Sequence, residues 1–241
     1  MPMRITICFG GSTFNPEELE VETLKEIAEA LKELKKENHE ILVVTGGGYT
    51  SRYYIEAGEE LGIPHKDLDQ IGIAATRLNA RLLNSVLGDL ATEDVPRNFE
   101  KAIRTMLRNK IPVMGGTQPG HTTDAVAAEL AETSNSDLLI FISDVDGIYT
   151  SDPKKNEGAE KIYQMTTSEL SDLMSKMKFE PGMNAIIDPL ATEILQGMKI
   201  KTLVIGKNEI NRLPQIVKGS THSGTVVEPP EKTETDKENQ N

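Results

Sequence analysis

The stretch from Ile111 to Ala131, IPVMGGTQPGHTTDAVAAELA, constrains the fold more than any other part of the chain. Its first four residues are apolar enough for a buried strand. Gly115-Gly116 breaks that run and Pro119-Gly120 turns the chain. Ala125, Val126, Ala128 and Leu130 then restart it as a helix. Thr122 and Thr123 stand where an N-cap is needed, because a hydroxyl accepts from the orphan N–H groups of a first helical turn. A strand, a glycine turn and a helix N-terminus together aim backbone N–H groups at an anion. His121 and the two hydroxyls add donors. Any β–α junction has this outline, so its recurrence decides what it means.

It does recur. Arg4 to Phe9 reads as a strand followed at once by Gly10-Gly11-Ser12, and Ile41 to Thr45 as a second strand running into Gly46-Gly47-Gly48. Leu138 to Ser143 is an unbroken apolar run typical of a central parallel strand, and it ends in Asp144-Val145-Asp146-Gly147. Thr202 to Ile205 is closed by Gly206-Lys207. Between the strands, apolar residues at helical spacing predict helices over 17–37, from Tyr49 to near Gly58, over 68–87 and over 98–109. Residues 88–96 read as a loop. Asp188-Pro189 starts a helix that Gly197 stops, Pro214 interrupts a last helix over 208–218, and Thr225 to Val227 is a short final strand. The alternation predicts an α/β fold whose mainly parallel sheet binds ligands at the carboxyl ends of its strands, where the glycines fall. After Pro153 apolar density drops, with a Met/Lys-rich patch at 174–178. The polar segment 230–241 reads as a disordered tail.

Composition narrows the function. A net charge of −12, no Trp and 4% aromatic residues argue against nucleic-acid binding. If the ligands are phosphates, the protein's field repels them, and backbone donors, local cations or a metal must compensate. No apolar run reaches the roughly 20 residues of a membrane span, and Ile5 to Phe9 is too short for a signal sequence, so a cytoplasmic protein without a membrane partner is expected. The single cysteine, Cys8, precludes an internal disulfide and a cysteine-rich zinc site; its place in a strand marks it as a small core residue.

There is no P-loop, no dinucleotide fingerprint after Gly46 and no H-E-x-x-H, and Gly147 comes two positions too early for an EF-hand loop. The four turns taken together, Gly10-Gly11-Ser12, Gly46-Gly47-Gly48, GGTxPGHTTDA and DVDGIYTxDP, resemble the amino acid kinase family. With Ile187-Asp-Pro-Leu-Ala191, they are closest to the archaeal members that phosphorylate UMP. The resemblance spans about residues 3–229. It implies one domain over 1–229, a three-layer α/β/α sandwich, with an acceptor-binding half over about 1–135 and an ATP-binding half over 136–229. It also implies a homohexamer and Mg2+ used together with ATP.

Residue by residue, the resemblance implies that Gly11, Ser12, Gly48 and Arg52 contact ATP phosphates and that Ser143, Tyr149 and Asp152 hold the adenine nucleotide. Gly47 and Asp69 contact UMP, and Thr117, Gln118, Pro119, Gly120, His121, Thr122 and Thr123 wrap it. Asp146 orients the site around the metal; no metal ligand is assigned. Many kinases of the family carry a lysine where this chain has Cys8, and a second near Gly182-Met183-Asn184 has no clear equivalent. Arg4, Lys154 and Lys207 are the candidates for that charge, and Arg4 is placed with Asp146 among the catalytic residues. The rival readings are a kinase of the same fold acting on acetylglutamate or isopentenyl phosphate, and a nucleotide-binding storage or regulatory protein without turnover.

Overall fold

The computed structural model describes residues 1–14, 17–176 and 187–229. The tail at 230–241, Met177 and Lys178 of the Met/Lys-rich patch, and Gly182-Met183-Asn184 lie outside the described residues. Among the described residues no helix is long and apolar enough to cross a membrane.

A seven-stranded sheet runs through the molecule in the order β3-β2-β1-β4-β8-β9-β7. Its centre is β1 (Arg4–Phe9), β2 (Glu40–Thr45) and β4 (Leu138–Ser143), flanked by the two-residue β3 (Val113–Met114) and by β8 (Lys201–Gly206). These five are parallel. Beyond them β9 (Thr225–Glu228) runs antiparallel to β8 and parallel to β7 (Gln164–Thr166). In register, Phe9 faces Thr45 and Ile142, and Ile142 faces Ile205. The glycine turns at residues 10, 46 and 206 therefore leave the sheet along one edge.

Alternation along the strands sorts the core into two layers. Ile5, Ile7, Phe9, Ile41 and Val43 pack with α2 (Val21–Lys36), α4 (His65–Leu87) and α9 (Leu213–Val217). Cys8, Leu42, Val44, Leu139 and Phe141 pack with α5 (Phe99–Leu107), α6 (Thr123–Ser134), α7 (Thr167–Lys176) and α8 (Pro189–Gly197). The arrangement is the expected α/β/α sandwich. A four-residue α1 (Gly11–Phe14) and the exposed α3 (Gly48–Glu60) complete the carboxyl edge.

Several boundaries differ from the sequence reading. The first long helix starts at Val21, after the separate α1, and α3 runs past Gly58 because a glycine is tolerated where Leu68 packs against it. A 3-10 turn, Gly88–Leu90, lies inside the predicted loop. Pro214 starts α9 instead of interrupting a helix, as its missing N–H allows, and Lys207–Arg212 before it is a 3-10 helix. The hairpin of β5 (Ile148–Tyr149) and β6 (Lys161–Ile162), together with β7 and α7, fills a region that carried no sequence prediction.

Candidate active site

Two glycine turns meet at the carboxyl edge backbone against backbone. A Cβ on Gly11 would come within 2.7 Å of Gly48 Cα, and one on Gly46 within 2.7 Å of Gly11 Cα, so neither position admits a side chain. Gly10 N–H donates to Ile142 O at 2.8 Å and Gly46 N–H to Phe9 O at 2.9 Å, which extends the sheet ladder into the turns. Asn79 on α4 donates to Gly46 O at 2.7 Å and fixes the second turn from outside. Gly48 has φ +62°, a left-handed backbone that favours glycine.

Around this junction lies a cavity of about 280 Å³, walled by the turns at 10–12 and 46–48, Ser51 and Arg52 of α3, Thr123 and Asp124 of α6, Ser143 to Val145, and Cys8 at its base. A second cavity of about 360 Å³ is walled by Ile55, Asp69, Gly72, Ile73, Thr76, Gly116 and the run Gln118 to Thr123. The two share Gly47, Ser51 and Thr123. Helices α3 and α6 both begin at this shared wall and turn the positive ends of their dipoles to it. An acidic protein thereby offers an anion a favourable spot.

The wall of the second cavity is set by α4. Thr76 Oγ1 accepts from Gly116 N–H at 2.7 Å and donates to Ile73 O at 2.7 Å. Arg77 donates to the carbonyls of Gly116 and Thr117 at 3.1 and 3.2 Å. Asp69 Oδ2 accepts from Gly120 N–H at 3.1 Å, and Gly120 turns the chain with φ +80°. His121 is hydrogen-bonded to Gln118 at 2.9 Å and sits 3.3 Å from Glu129. Thr122 caps α6 by accepting from Ala125 N–H at 3.1 Å, as the sequence suggested, but its own proton goes to Asp188 Oδ2. Asp188 in turn caps α8 through Leu190 and Ala191 N–H at 2.8 and 3.2 Å. A hydroxyl expected to meet a ligand thus ties α6 to α8.

On the other side of the first cavity the side chains are ion-paired. Asp144 accepts from Ser12 Oγ at 3.0 Å and pairs with Lys154, whose backbone N–H is held by Asp152 Oδ1 at 2.9 Å. Burial works to raise the Asp144 pKa, but the bonds from Lys154 and Ser12 outweigh it and hold the carboxyl below its ordinary range. Asp146 accepts from Tyr149 Oη at 2.7 Å and from Lys161 Nζ at 2.6 Å. Burial opposes its ionisation too, and Lys161 and Tyr149 again win, leaving the pKa lowered. Lys161 also donates to Ser223 O at 3.1 Å and lies 5.4 Å from the Tyr149 ring centre. Ser143 Oγ donates to Val145 O at 3.0 Å and shapes the loop. Among the described residues, no group of three or more His, Cys, Asp or Glu is placed to hold a metal ion.

Most of the residues singled out in the sequence fall on these two cavities; Asp152 stands behind the first through Lys154, while Asp146 and Tyr149, joined to Lys161, line neither. Arg4 is a correction. It opens β1 at the amino edge, five strand steps and roughly 17 Å from the glycine turns. Its guanidinium pairs with Glu40 at 2.8 Å and donates to the Ser134 carbonyl. Lys207 is held by Glu20 at 2.9 and 3.0 Å and does not line the first cavity, whereas Lys154, also paired, reaches its wall through Asp144. The sequence reading passed over Asp124, Asp144 and Lys161. Asp124 and Asp144 lie inside motifs already noted, and only their place in the fold marks them out. Lys161 follows no motif.

Asp124 lies deep in the fold, with some surface open to the first cavity. Burial, and then the nearby Asp188, push its pKa up to about 7, against a smaller opposing bond from Cys8. Cys8 Sγ lies 3.5 Å from Asp124 Oδ1 and 3.7 Å from the Thr123 carbonyl, and burial pushes the thiol pKa well up. The thiol therefore stays protonated and donates.

A sandwich with a mainly parallel sheet, glycine turns interlocked at its carboxyl edge and two joined cavities behind them defines a small-molecule kinase architecture. Residues 3–206 match the family model for the amino acid kinase family, and the chain belongs to that family. It is 44% identical over 227 residues to the uridylate kinase of Thermococcus kodakarensis, covering 94% of this chain and all of that one. The uridylate kinase of Methanococcus aeolicus is 45% identical over 230 residues with the same coverage. The crystal structure of uridylate kinase from Archaeoglobus fulgidus superposes with a TM-score of 0.80 at 37% identity, covering 93% of this chain and 99% of that one. The UMP kinase structure from Bacillus anthracis, 24% identical with a TM-score of 0.76, shares the fold.

Proposed function

We propose that the protein is a nucleoside monophosphate kinase that transfers the γ-phosphoryl group of ATP to UMP, giving UDP and ADP. The observation that carries this reading is the meeting of two cavities at Gly47, Ser51 and Thr123, in a chain similar along nearly its whole length to uridylate kinases. One cavity takes the triphosphate and the other takes UMP, so that acceptor oxygen and γ-phosphorus meet at the shared wall.

The phosphate of UMP, with a second pKa of about 6, is mostly ionised at neutral pH and needs no general base. What remains is to hold two anions in line and neutralise the charge between them. Gly11, Ser12, Gly48 and Arg52 bind the ATP phosphates, with the α3 amino end behind them. Ser143 shapes the loop that carries Asp144, and Tyr149 and Asp152 hold the nucleoside end. Mg2+ bound with ATP would supply positive charge between the phosphates; no acidic cluster among the described residues is placed to hold it alone. Both oxygens of Asp146 are already engaged, so Asp146 acts by holding Lys161 and Tyr149 in place. On the acceptor side, Thr117 to Thr123 and Gly47 enclose UMP. Asp69, an acceptor of hydrogen bonds that repels phosphate, faces a ribose hydroxyl.

The same reading places the protein in pyrimidine nucleotide biosynthesis in the cytoplasm, as a homohexamer. Exposed Tyr53, Tyr54 and Leu78 on α3 and α4 support assembly; a 26.5 kDa species in light scattering at micromolar concentration contradicts it. The activity is tested by coupled ADP release with UMP, CMP, AMP, acetylglutamate and isopentenyl phosphate as acceptors. UMP is expected to give the highest kcat/KM, and release with none of them overturns the reading.

A further inference from the structure

Glu209 sits in the 3-10 helix after β8, only 4% exposed, and the mechanism above gives it no part. Among the described residues it is the one ionisable side chain that buries a polar atom without a partner. Its Oε1 accepts from Arg212 Nη1 and from Ser223 N–H, both at 3.1 Å, while Oε2 has no partner. Packing does not account for a carboxylate here. Ile210 and Leu213 already fasten this turn to the core, and one half-exposed arginine offsets only part of what burial costs a carboxylate. What the position achieves is the bond to Ser223.

Residues 221–224 form a strap that leads into β9. Arg212 Nη2 donates to Thr221 O at 2.9 Å. A Cβ on Gly224 would come within 2.1 Å of Val204 O, so the strap lies hard against β8. The Ser223 carbonyl accepts from Lys161 Nζ at 3.1 Å. Lys161 also donates to Asp146 Oδ2 at 2.6 Å, and Asp146 Oδ1 accepts from Tyr149 Oη at 2.7 Å. Four hydrogen bonds in series thus run from Glu209 to the Tyr149 hydroxyl. We propose that Glu209 is a positioning residue for the donor side: it holds Ser223, which holds Lys161, and so sets Tyr149 against the nucleoside end of ATP. The proposal rests on the kinase reading above, which gives Tyr149 that place.

The series transmits position because its middle is closely held. The Lys161 side chain is mostly buried, and its ammonium rests on Asp146, on the Ser223 carbonyl and against Tyr149. If the Ser223 carbonyl moves away, Asp146 and Tyr149 alone aim it. Hydrogen bonds in such a chain polarise one another, so losing one member weakens the rest. A misplacement of about 1 Å in a group that aligns a substrate can cost about 100-fold; a residue acting through two others should cost less, about tenfold. The acceptor cavity takes no wall from this series, so the effect should fall on one substrate.

The test reads Kd for MgADP and for UMP by calorimetry, in wild type, Glu209→Ala, Glu209→Gln, Lys161→Met and the double variant Glu209→Ala with Lys161→Met. Glu209→Ala is expected to weaken MgADP about tenfold and to leave UMP within about twofold. Glutamine keeps a carbonyl oxygen for Ser223 N–H, so Glu209→Gln should stay within about threefold of wild type for both. If Glu209 acts through Lys161, the double variant binds MgADP no worse than Lys161→Met, whereas independent effects multiply. Three outcomes overturn the proposal: both ligands weakened alike, neither weakened, or a double variant about tenfold weaker than Lys161→Met. Should Glu209→Ala not fold, hydrogen exchange in the wild type decides. Saturating MgADP is expected to slow exchange at the Ser223 amide at least about fivefold more than saturating UMP does, and equal slowing by the two overturns the proposal. A wild type that binds both ligands and releases ADP with UMP keeps the kinase reading whatever the variants do. A wild type that binds neither overturns that reading and this proposal with it.

Discussion

The two cavities are built by different means. The acceptor side is fixed by bonds to backbone: Thr76 to Gly116, Asp69 to Gly120, Arg77 to two carbonyls, Thr122 to the head of α6. The donor side is fixed by side-chain ion pairs, Lys154 with Asp144 and Lys161 with Asp146. Backbone bonds define a shape that scarcely depends on the medium. Ion pairs at a partly exposed site are screened by salt and can be exchanged for a ligand's charge. On the proposed reading the acceptor cavity is therefore preformed, while on the donor side Lys154 and Lys161 rest on carboxylates.

The largest expected effect lies where the two regions meet. Gly46→Ala puts a methyl group onto the Gly11 backbone, so activity with any acceptor should vanish, with a loss of at least about 4 kcal/mol in urea unfolding. A soluble, active alanine variant would show that the junction yields. Next, Asp146→Asn unhooks Lys161 and Tyr149; kcat/KM for ATP should drop about 100-fold and KM for UMP stay within about twofold. Steady-state kinetics in which UMP suffers more would erase the distinction between the sides. Thr122→Val should do the reverse, raising KM for UMP about tenfold, as loss of a bond worth roughly 1–2 kcal/mol does. It should also lower Tm by about 2–4 °C per kcal/mol of lost capping.

A fourth test sharpens the contrast through pH. The folded pKa of Asp124, about 7, lies above its ordinary 3.8. Between those values the unfolded chain has lost the proton and the folded chain keeps it. Wild-type stability therefore declines as pH rises through that window, by at most about 1.4 kcal/mol per pH unit, and levels off above it. Asp124→Asn escapes the decline, so its Tm relative to wild type should climb by about 4 °C or more between pH 5 and 8. A constant difference across that range would mean that Asp124 is ionised throughout. The smallest effect belongs to the far edge of the sheet. Arg4→Ala should cost about 1 kcal/mol of stability and leave kcat within experimental error; a fall in kcat would return Arg4 to the site.

What the sequence revealed and what it hid follow from the range of the forces involved. Ile41 to Thr45 and Leu138 to Ser143 are legible because a buried parallel strand is a local apolar run. The glycine turns are legible because only glycine fits where two backbones touch. The β5–β6 hairpin was not, since two-residue strands exist only through their partners, 12 residues apart and across from Thr225. Asp124 is visible as a letter in a motif, but its acidity depends on depth and on Asp188, 64 positions away. Arg4 was misjudged on a point the sequence did contain: a residue that opens a parallel strand lies at the edge opposite to the one where ligands bind.

Thr225 has a consequence for the order in which the chain takes shape during synthesis. Its hydroxyl donates to Ile162 O and accepts from Ile148 N–H, and its strand lies between β7 and β8. The hairpin carrying Tyr149 and Lys161 is thus fastened by residues made some 60 positions later, a delay of roughly 3–12 s at ordinary rates of translation. The three strands and glycine turns that shape the acceptor cavity leave the ribosome long before. On the proposed reading, the residues of the acceptor pocket are therefore all made before the strand that fastens the donor-side hairpin, and a chain arrested upstream of Thr225 would lack that fastening.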